Sequence, residues 1–214
     1  MIDSFRHKGM RKQLVDQLAQ KGIEDQRILD AFLKVPRHFF LDAAFTEQAY
    51  TDIAFQIGAG QTISQPYTVA FQTQLLQIEK GDKVLEIGTG SGFQTAILCE
   101  LGAKVFSIER QKELYLKANQ LIPTLNYTPK LRYGDGFEGW ETFGPYDKIL
   151  ITCGAPFIPD ALVAQLKPGG RMVVPLGEGN TQEMILLTKS TNGEISQRSF
   201  GKFRFVPMLK DTAK

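Results

Sequence analysis

The sequence contains few of the residues from which metal and disulfide sites are built. Among its 214 residues are two cysteines, Cys99 and Cys153, and two histidines, His7 and His38. No cysteine or histidine lies at metal-ligand spacing from either cysteine, and the two histidines are far apart in the sequence. We therefore expect no metal site and two reduced thiols in the core.

The chain also has neither a strong charge imbalance nor a long apolar run. Its 25 basic and 23 acidic residues leave a formal net charge of +2, which is too small to imply nucleic acid or an anionic membrane as partner. No apolar run reaches the length that a bilayer requires, and residues 1–6 lack the apolar core of a signal peptide. We expect a cytoplasmic protein without nucleic-acid or membrane partners, and a monomer, although the sequence itself does not reveal oligomeric state.

What remains is an ordinary globular composition, with 43% hydrophobic and 22% charged residues. A chain of this length favours one compact α/β domain, so we expect a single domain over 1–214. Its first part, 1–78, has apolar residues at helical spacing up to Pro36 and again after Pro66. Between these helices, the stretch 57–66 (IGAGQTISQP) predicts an ordered loop. Residues 79–214 form the second part, an α/β core.

Short β-rich runs alternate with helical segments in this second part. That alternation predicts a mostly parallel sheet with helices on both faces. Residues 167–170 (KPGG) predict a turn before the fifth strand, and the Asn192, Gly193 pair predicts an antiparallel hairpin at the end. The expected strands are 84–87, 105–108, 131–133, 148–152 and 171–175, with hairpin strands 184–188 and 195–205; the expected helices are 95–101, 113–121 and 159–166.

A glycine-rich segment follows the first of these strands. Glu86 lies near the strand end, and Gly88, Thr89, Gly90, Ser91 and Gly92 lead into a helix, where an open parallel sheet binds nucleotide-like ligands. A dinucleotide fingerprint would have its third glycine at position 93, which is phenylalanine, so NAD is disfavoured. S-adenosyl-L-methionine suits the segment better, because its carboxylate can accept from free N–H groups and its ammonium can bind carbonyls and Glu86. A tight turn without a ligand is the alternative.

Two more acidic residues follow the next two strands. The second strand ends in Glu109 and Arg110, and a carboxylate there can accept both hydroxyls of a ribose. The third runs into Asp135 and Gly136, where a carboxylate can accept the adenine amino group while Phe137 or a neighbour packs on the ring. Glu109 alone could be a surface carboxylate, but three acidic strand ends in succession favour an adenosine cofactor.

Several segments of the chain resemble the protein-L-isoaspartate O-methyltransferase family. The most specific is Ile57 to Pro66, and the resemblance covers nearly the whole chain. It implies a Rossmann-like S-adenosylmethionine-dependent methyltransferase fold: a central, mostly parallel sheet with helices on both faces, an N-terminal helical extension and a C-terminal antiparallel hairpin. The other matching segments are 35–39, 49–52, the glycine-rich loop, 134–136, 165–170 and 205–207.

The resemblance also implies an activity. This family, the protein-L-isoaspartate(D-aspartate) O-methyltransferases, methylates the α-carboxyl of L-isoaspartyl residues in damaged proteins and peptides. The ester then closes to a succinimide, which starts repair, and S-adenosyl-L-homocysteine is the second product. No metal is required, because the sulfonium is itself the activated methyl donor.

By the same resemblance, Ser64 is the functional serine between cofactor and substrate. Gln61 and Thr62 are expected beside the cofactor, and Ile63, Ser64 and Val206 against the substrate backbone. Because a carboxylate is already ionised at neutral pH, it needs no general base, and Ser64 is expected to orient an oxygen rather than to act as a nucleophile. Without the resemblance, Ser64 would be interpreted as a helix cap.

The sequence departs from the family pattern at a few positions. Phe55 and Gln56 replace the usual Leu and Pro, Gln72 and Gln74 replace Met and Glu, and Phe93 replaces Tyr. These departures bear on peptide preference more than on reaction type. Three rival interpretations remain: an RNA-modifying methyltransferase of the same fold, a nicotinamide-dependent oxidoreductase, and a noncatalytic binding module.

Overall fold

The computed structural model describes residues 2–213 and begins with a helical part. Helices α1 (Phe5–Gln20) and α2 (Gln26–Lys34) start at side-chain caps from Ser4 and Asp25, and α2 ends just before Pro36. Two short 3-10 helices follow, Arg37–Phe40 and Ala43–Gln48. The apolar faces of these elements form one core, which also includes Phe93, Ala96 and Ile97.

A small hairpin replaces the loop expected at 57–66. Strands β1 (Phe55–Gly58) and β2 (Gln61–Ile63) pair antiparallel as a separate two-stranded sheet. Ala59 and Gly60 connect them with φ of 51° and 67°, and positive φ at both central residues is what a type I′ hairpin turn requires. Alanine is uncommon in this conformation, so the composition predicted a loop instead. Helix α3 (Pro66–Leu76) follows.

The main sheet has seven strands in the order β5-β4-β3-β6-β7-β8-β9. The pairs from β5 to β7 are parallel, and β8 and β9 add to the edge in antiparallel orientation. The mostly parallel sheet and the final hairpin are therefore confirmed. The strands are β3 (Lys83–Ile87), β4 (Lys104–Glu109), β5 (Lys130–Tyr133), β6 (Tyr146–Ile151), β7 (Leu166–Leu176), β8 (Gln182–Lys189) and β9 (Ile195–Phe203).

Helices cover both faces of this sheet because the buried strands are apolar on both sides. Val84 and its neighbours in β4 and β6 face one way and pack with apolar residues of α3 and of α4 (Phe93–Glu100). Leu85 and its neighbours face the other way and pack against α6 (Asp160–Ala164). Helix α5 (Lys112–Thr124) connects β4 to β5.

The predicted turn at 167–170 lies within β7 rather than before it. Tyr146 pairs with Leu166, and the next pair is Lys148 with Arg171, so residues 167–170 bulge out of the ladder between two paired positions. Gly169 has a φ of 79°, which supplies the sharp bend. The KPGG sequence therefore interrupts the pairing without ending the strand.

The two histidines, far apart in the sequence, meet in the fold. The rings of His7 and His38 stack with their centroids 3.9 Å apart, and ligand-capable atoms of Asp3, His7 and His38 lie within 4.8 Å of one another. Their separation in the sequence therefore does not keep them apart in the fold. Asp3 forms a 2.8 Å salt bridge with Arg11, and His38 Nδ1 hydrogen-bonds the Tyr50 hydroxyl at 2.7 Å, so both already hold the N-terminal segment.

Both cysteines are free thiols and are partly buried. Burial raises the pKa of the Cys153 thiol to about 12, so it is protonated at neutral pH. Between residues 2 and 213, no helix is both long enough and apolar enough to cross a bilayer.

Candidate active site

The candidate site lies at the carboxyl edge of the sheet, where β3 has β4 on one side and β6 on the other. This is the point at which the strand order reverses, and open α/β sheets bind ligands there. The glycine-rich loop leaves β3 at this edge, and Gly92 is the N-cap of α4. A Cβ atom on Gly88 would lie 2.5 Å from Thr152 Oγ1, so the close approach of these two segments requires glycine.

A cavity of about 60 Å³ opens between this loop, the ends of β3 and β4, and the segment 206–209. A second chamber of about 40 Å³ adjoins the loop on the side of β2 and α4. Together they bring nine of the predicted cofactor residues to one place: Gln61, Thr62, Gly88, Thr89, Gly90, Ser91, Glu109, Arg110 and Gly136. Gly92, Glu86 and Asp135 do not line either chamber.

Glu109 ties the glycine-rich loop to the end of β4. Its carboxylate accepts from Gly90 N–H at 2.8 Å through Oε2 and from Gln111 N–H at 2.7 Å through Oε1. Burial raises its pKa, and the backbone donors oppose that shift. Each carboxylate oxygen can accept more than one hydrogen bond, so Glu109 retains capacity for the two hydroxyls of a ribose.

Glu86 lies behind the loop instead of facing the cavity. Its side chain is fully buried and accepts from Thr95 Oγ1 through Oε2 at 2.5 Å. Oε1 has no hydrogen-bond partner within residues 2–213. Burial raises the pKa of Glu86 to about 8, so the carboxyl is neutral at pH 7. The structure thus does not bring Glu86 together with the other predicted cofactor residues.

Asp135 binds the C-terminal segment. Its two oxygens accept from Phe137 N–H and from Asp211 N–H, each at 2.8 Å. Arg110 donates from Nε to Asp211 O at 3.0 Å. These contacts fold residues 206–211 over the sheet edge, so that Val206 to Leu209 form a wall of the larger chamber. Phe137 packs against Phe157, 5.6 Å between ring centroids, and does not line this chamber.

A large open cleft of about 1300 Å³ meets these chambers. Thr62 and Thr152 line all three spaces, and Ser64 lines the cleft and the smaller chamber. Ile63 is buried and reaches only the smaller chamber, whereas Val206 lines the cleft and the larger one. The predicted substrate residues therefore lie where a cofactor space and an open cleft join.

Ser64 does not cap helix α3. The N-cap is Gln65, whose side chain makes no capping bond, and Asp52 instead accepts from Tyr67 N–H at 2.8 Å through Oδ1. Asp52 Oδ2 accepts from Gln65 Nε2 at 3.1 Å and from Lys21 Nζ at 2.6 Å. Within the described chain the Ser64 hydroxyl has no side-chain hydrogen bond, so it can bind a ligand at the junction.

Thr152 is a site residue that sequence reasoning missed. It follows the last residue of β6, and its Oγ1 donates to Gly88 O at 2.7 Å and to Ile87 O at 2.9 Å. A hydroxyl directly after the apolar run 149–151, on the strand beside β3, was the available signal. Ile87, Ile108 and Pro207 to Leu209 also line the larger chamber and were not predicted, because apolar and backbone walls carry no motif.

The departures from the family pattern are mostly explained by structural contacts. Gln72 is buried and donates to Ile151 O at 3.0 Å, directly below Thr152. Gln74 accepts from Glu24 N–H at 2.7 Å and holds the start of α2. Phe93 packs edge-on against Phe32 at 5.6 Å between ring centroids. None of these residues lines the cleft, so their effect on peptide preference would be indirect.

The sheet order, the glycine loop at its switch point and a buried acid at the end of the neighbouring strand define the class of S-adenosylmethionine-dependent methyltransferases. A family model described as "Protein-L-isoaspartate(D-aspartate) O-methyltransferase" matches residues 9–213. The chain belongs to this family.

Individual relatives agree with this assignment. A protein-L-isoaspartate O-methyltransferase from Flavobacterium johnsoniae is 56% identical over 212 residues, covering 99% of each chain. A solved protein-L-isoaspartate O-methyltransferase shares the fold with a TM-score of 0.84 at 30% identity, covering 92% of this chain and 65% of that one. A putative Plasmodium falciparum enzyme in complex with S-adenosyl-L-homocysteine has a TM-score of 0.82 at 24% identity, covering 94% and 99%.

Proposed function

We propose that this chain transfers a methyl group from S-adenosyl-L-methionine to the α-carboxyl of L-isoaspartyl residues in damaged proteins and peptides. The single observation that carries the proposal is the junction at Thr62, Ser64 and Thr152, where the chambers beside the glycine loop open into a cleft of about 1300 Å³. This volume exceeds the range of about 300–1,000 Å³ that is usual for small-ligand pockets, so the cleft has room for a peptide segment. Membership in the family supplies the reaction.

The residues of the two chambers fit the cofactor by their chemistry. In the glycine loop, the N–H groups of Gly88, Thr89, Gly90 and Gly92 already donate within the chain, which leaves Ser91 N–H for the cofactor carboxylate. Glu109 suits the ribose hydroxyls, and Gln61 and Thr62 line the same chamber. Gly136 lines the same chamber, and Ile87 and Met208 provide apolar surface for an adenine ring. When bound, the cofactor supplies a methyl group on a positively charged sulfur. Glu86 and Asp135 would act on it only indirectly, through the segments they hold.

The chambers are small for such a ligand, since pockets for ligands of this size usually measure about 300–1,000 Å³. The β1–β2 hairpin is not hydrogen-bonded into the main sheet, and its side chains Phe55, Ile57 and Ile63 pack in the helical core. Ile57 Cδ1 lies 3.6 Å from where a Gly90 Cβ would be, so the hairpin closes directly on the loop. We expect it to shift outward when the cofactor enters.

Ser64 has a positioning role in this proposal. The accepting carboxylate is ionised at neutral pH, so the reaction needs alignment of its oxygen with the methyl group rather than a base. The unpaired Ser64 hydroxyl can donate to that carboxylate. Thr62, two residues earlier in the chain, lines the same smaller chamber. The backbone at Ile63 and Val206 would hold the substrate chain on either side.

Labelled cofactor and matched peptides test the function. The peptides carry aspartyl or isoaspartyl at one position and are otherwise identical. We expect base-labile label on the isoaspartyl peptide alone. Equal labelling of both peptides, or of neither, would sink the assignment, and label transferred to RNA instead would favour the rival methyltransferase.

Four further expectations belong to this proposal. We expect the protein to be cytoplasmic, to act as a monomer and to fold as one domain over 1–214. Cell fractionation, light scattering and a single calorimetric unfolding transition test these three. We also expect activity without a metal, which a chelator such as EDTA should leave unchanged.

A further inference from the structure

One wall of the large cleft is formed by the end of strand β9 and the chain that continues it. Lys202, Phe203, Arg204, Phe205 and Val206 all line the cleft. Among the described residues that line it, Lys202 and Arg204 are the two that carry a charge, and no acidic side chain is present. The charge of the cleft is therefore positive although the net charge of the chain is only +2.

Both cations are free to bind a ligand. Each is exposed, and neither forms a salt bridge or a side-chain hydrogen bond in the part of the chain that the structure describes. Glu183 is the nearest acid by strand register, because it is the cross-strand partner of Lys202. Its Oε2 instead accepts from Ser199 Oγ at 3.1 Å, so it leaves Lys202 unpaired.

The backbone that carries Arg204 is held firmly. Phe205 N–H donates to Oε1 of the buried Gln182 at 3.0 Å, and Gln182 Nε2 donates to Gly179 O at 2.8 Å. Two residues on, Val206 O accepts from Gly154 N–H at 2.8 Å. Arg204 therefore projects from a fixed segment, which lowers the entropy lost when a ligand binds.

The distance from the reaction centre sets which substrate residues the cations can reach. Val206 lines both the cleft and the cofactor chamber. Two residues of chain span at most about 7 Å and four at most about 14 Å, so Arg204 and Lys202 lie within those distances of Val206. An extended substrate covers the same distances with two to four residues.

We infer that Lys202 and Arg204 form a subsite for acidic side chains two to four residues from the isoaspartyl position, on one flank of the substrate. This inference rests on the proposed function and adds a sequence preference to it. The ligand class is a carboxylate side chain of the substrate peptide. Both cations lie on one wall, so an acid on the other flank has no partner in the cleft.

Kinetic assays with isoaspartyl peptides test the subsite. The peptides are acetylated and amidated at their ends, and carry Glu or Gln at positions two to four on one flank or the other. At low salt we expect kcat/KM to be about threefold to tenfold higher for Glu than for Gln on one flank. The advantage should shrink as salt is added.

Matched variants make the test specific. Lys202→Gln with Arg204→Gln should bring the Glu-to-Gln ratio to about one, and Lys202→Glu with Arg204→Glu should reverse it in favour of Lys-containing peptides. Arg198→Gln, on the same strand but outside the cleft, should leave the ratio unchanged.

Each other outcome has a definite meaning. Equal rates for Glu and Gln peptides with the unaltered protein, or an equal Glu advantage on both flanks, would overturn the subsite but leave the proposed function standing. A ratio that survives the double Gln variant would also overturn it. Failure to methylate any isoaspartyl peptide would overturn the proposed function, and the subsite with it.

Discussion

Replacing Glu86 with glutamine tests whether this buried carboxyl supports the cofactor loop from behind or contacts the cofactor. Glu86 is fully buried, and its Oε1 lacks a partner in the described chain. Burial raises its pKa to about 8, while the hydrogen bond from Thr95 opposes the shift. The neutral form is therefore the native form at pH 7, and glutamine mimics that form closely.

The expected effect on stability depends on pH. A carboxyl whose pKa is higher in the folded protein contributes stability that is fully present below its unfolded pKa of about 4.5. That contribution is lost as pH rises from there through about 8. Each pKa unit corresponds to about 1.4 kcal/mol, so at pH 7 ionisation of the unfolded chain opposes folding by about 3 kcal/mol.

Glutamine removes this pH-dependent term, because it does not ionise. Its buried amide N–H groups need acceptors and would cost about 1–3 kcal/mol if unmatched. We therefore expect Glu86→Gln to be neutral or destabilising at pH 4.5 and to stabilise the fold by about 1 kcal/mol at pH 7. Cofactor affinity should change by less than about threefold, because the side chain does not line the chambers.

Urea unfolding between pH 4.5 and pH 8 measures the first effect, and calorimetric titration with S-adenosyl-L-homocysteine measures the second. Glu194→Gln, at an exposed glutamate in the β8–β9 turn, is the matched control and should show no such pH trend. A loss of stability at pH 7 would refute the neutral carboxyl. A tenfold or greater loss of affinity would instead show that Glu86 contacts the cofactor.

Three further substitutions probe the junction. Ser64→Ala should lower kcat about tenfold to a hundredfold, since one positioned hydrogen-bond donor is lost. Cofactor affinity measured by calorimetry should change little. Loss of cofactor binding would contradict the placement of Ser64 on the substrate side. Thr152→Val should cost about 1 kcal/mol of stability and weaken cofactor binding, because the Thr152 hydroxyl holds Gly88 O. Thr152→Ser should keep both the stability and the affinity. Equal loss in the two variants would argue against the hydrogen bond. Gly88→Ala should destabilise the fold by about 1–3 kcal/mol, because its φ is 98° and its Cβ would meet Thr152 Oγ1. Adding Thr152→Ala should restore part of that loss, and full additivity in denaturant titrations would rule out the clash.

Most of the fold could be predicted from the sequence, because short apolar runs alternate with helical segments and this alternation is typical of a parallel sheet covered by helices. The exceptions are local. The β1–β2 hairpin was not predicted, because its turn has Ala59 at a φ of 51°, where glycine or asparagine is usual. The KPGG bulge in β7 was interpreted as a turn, because proline and glycine occur both in turns and in bulges.

The candidate site also has parts that the sequence predicts and parts that it does not. The glycine loop and Glu109 could be predicted because a motif at a strand end fixes where they lie. Glu86 shares that motif, but strand alternation points its side chain toward Thr95 of α4 and away from the chambers. A sequence motif does not record that direction. Thr152 was missed because its position beside the loop depends on the strand order of the sheet. The wall at 206–209 was missed because its position depends on the hydrogen bond from Asp211 N–H to Asp135.

The wall at 206–209 has a consequence for the order in which the protein is made. The glycine loop and Glu109 emerge from the ribosome about a hundred residues before Met208 does, at roughly 5–20 residues per second. During those seconds the loop has no cover from Pro207 to Leu209. We therefore expect a nascent chain to bind its cofactor weakly until translation has passed this segment. A fusion that keeps residues 206–211 from docking should likewise yield a folded sheet with a weakened site.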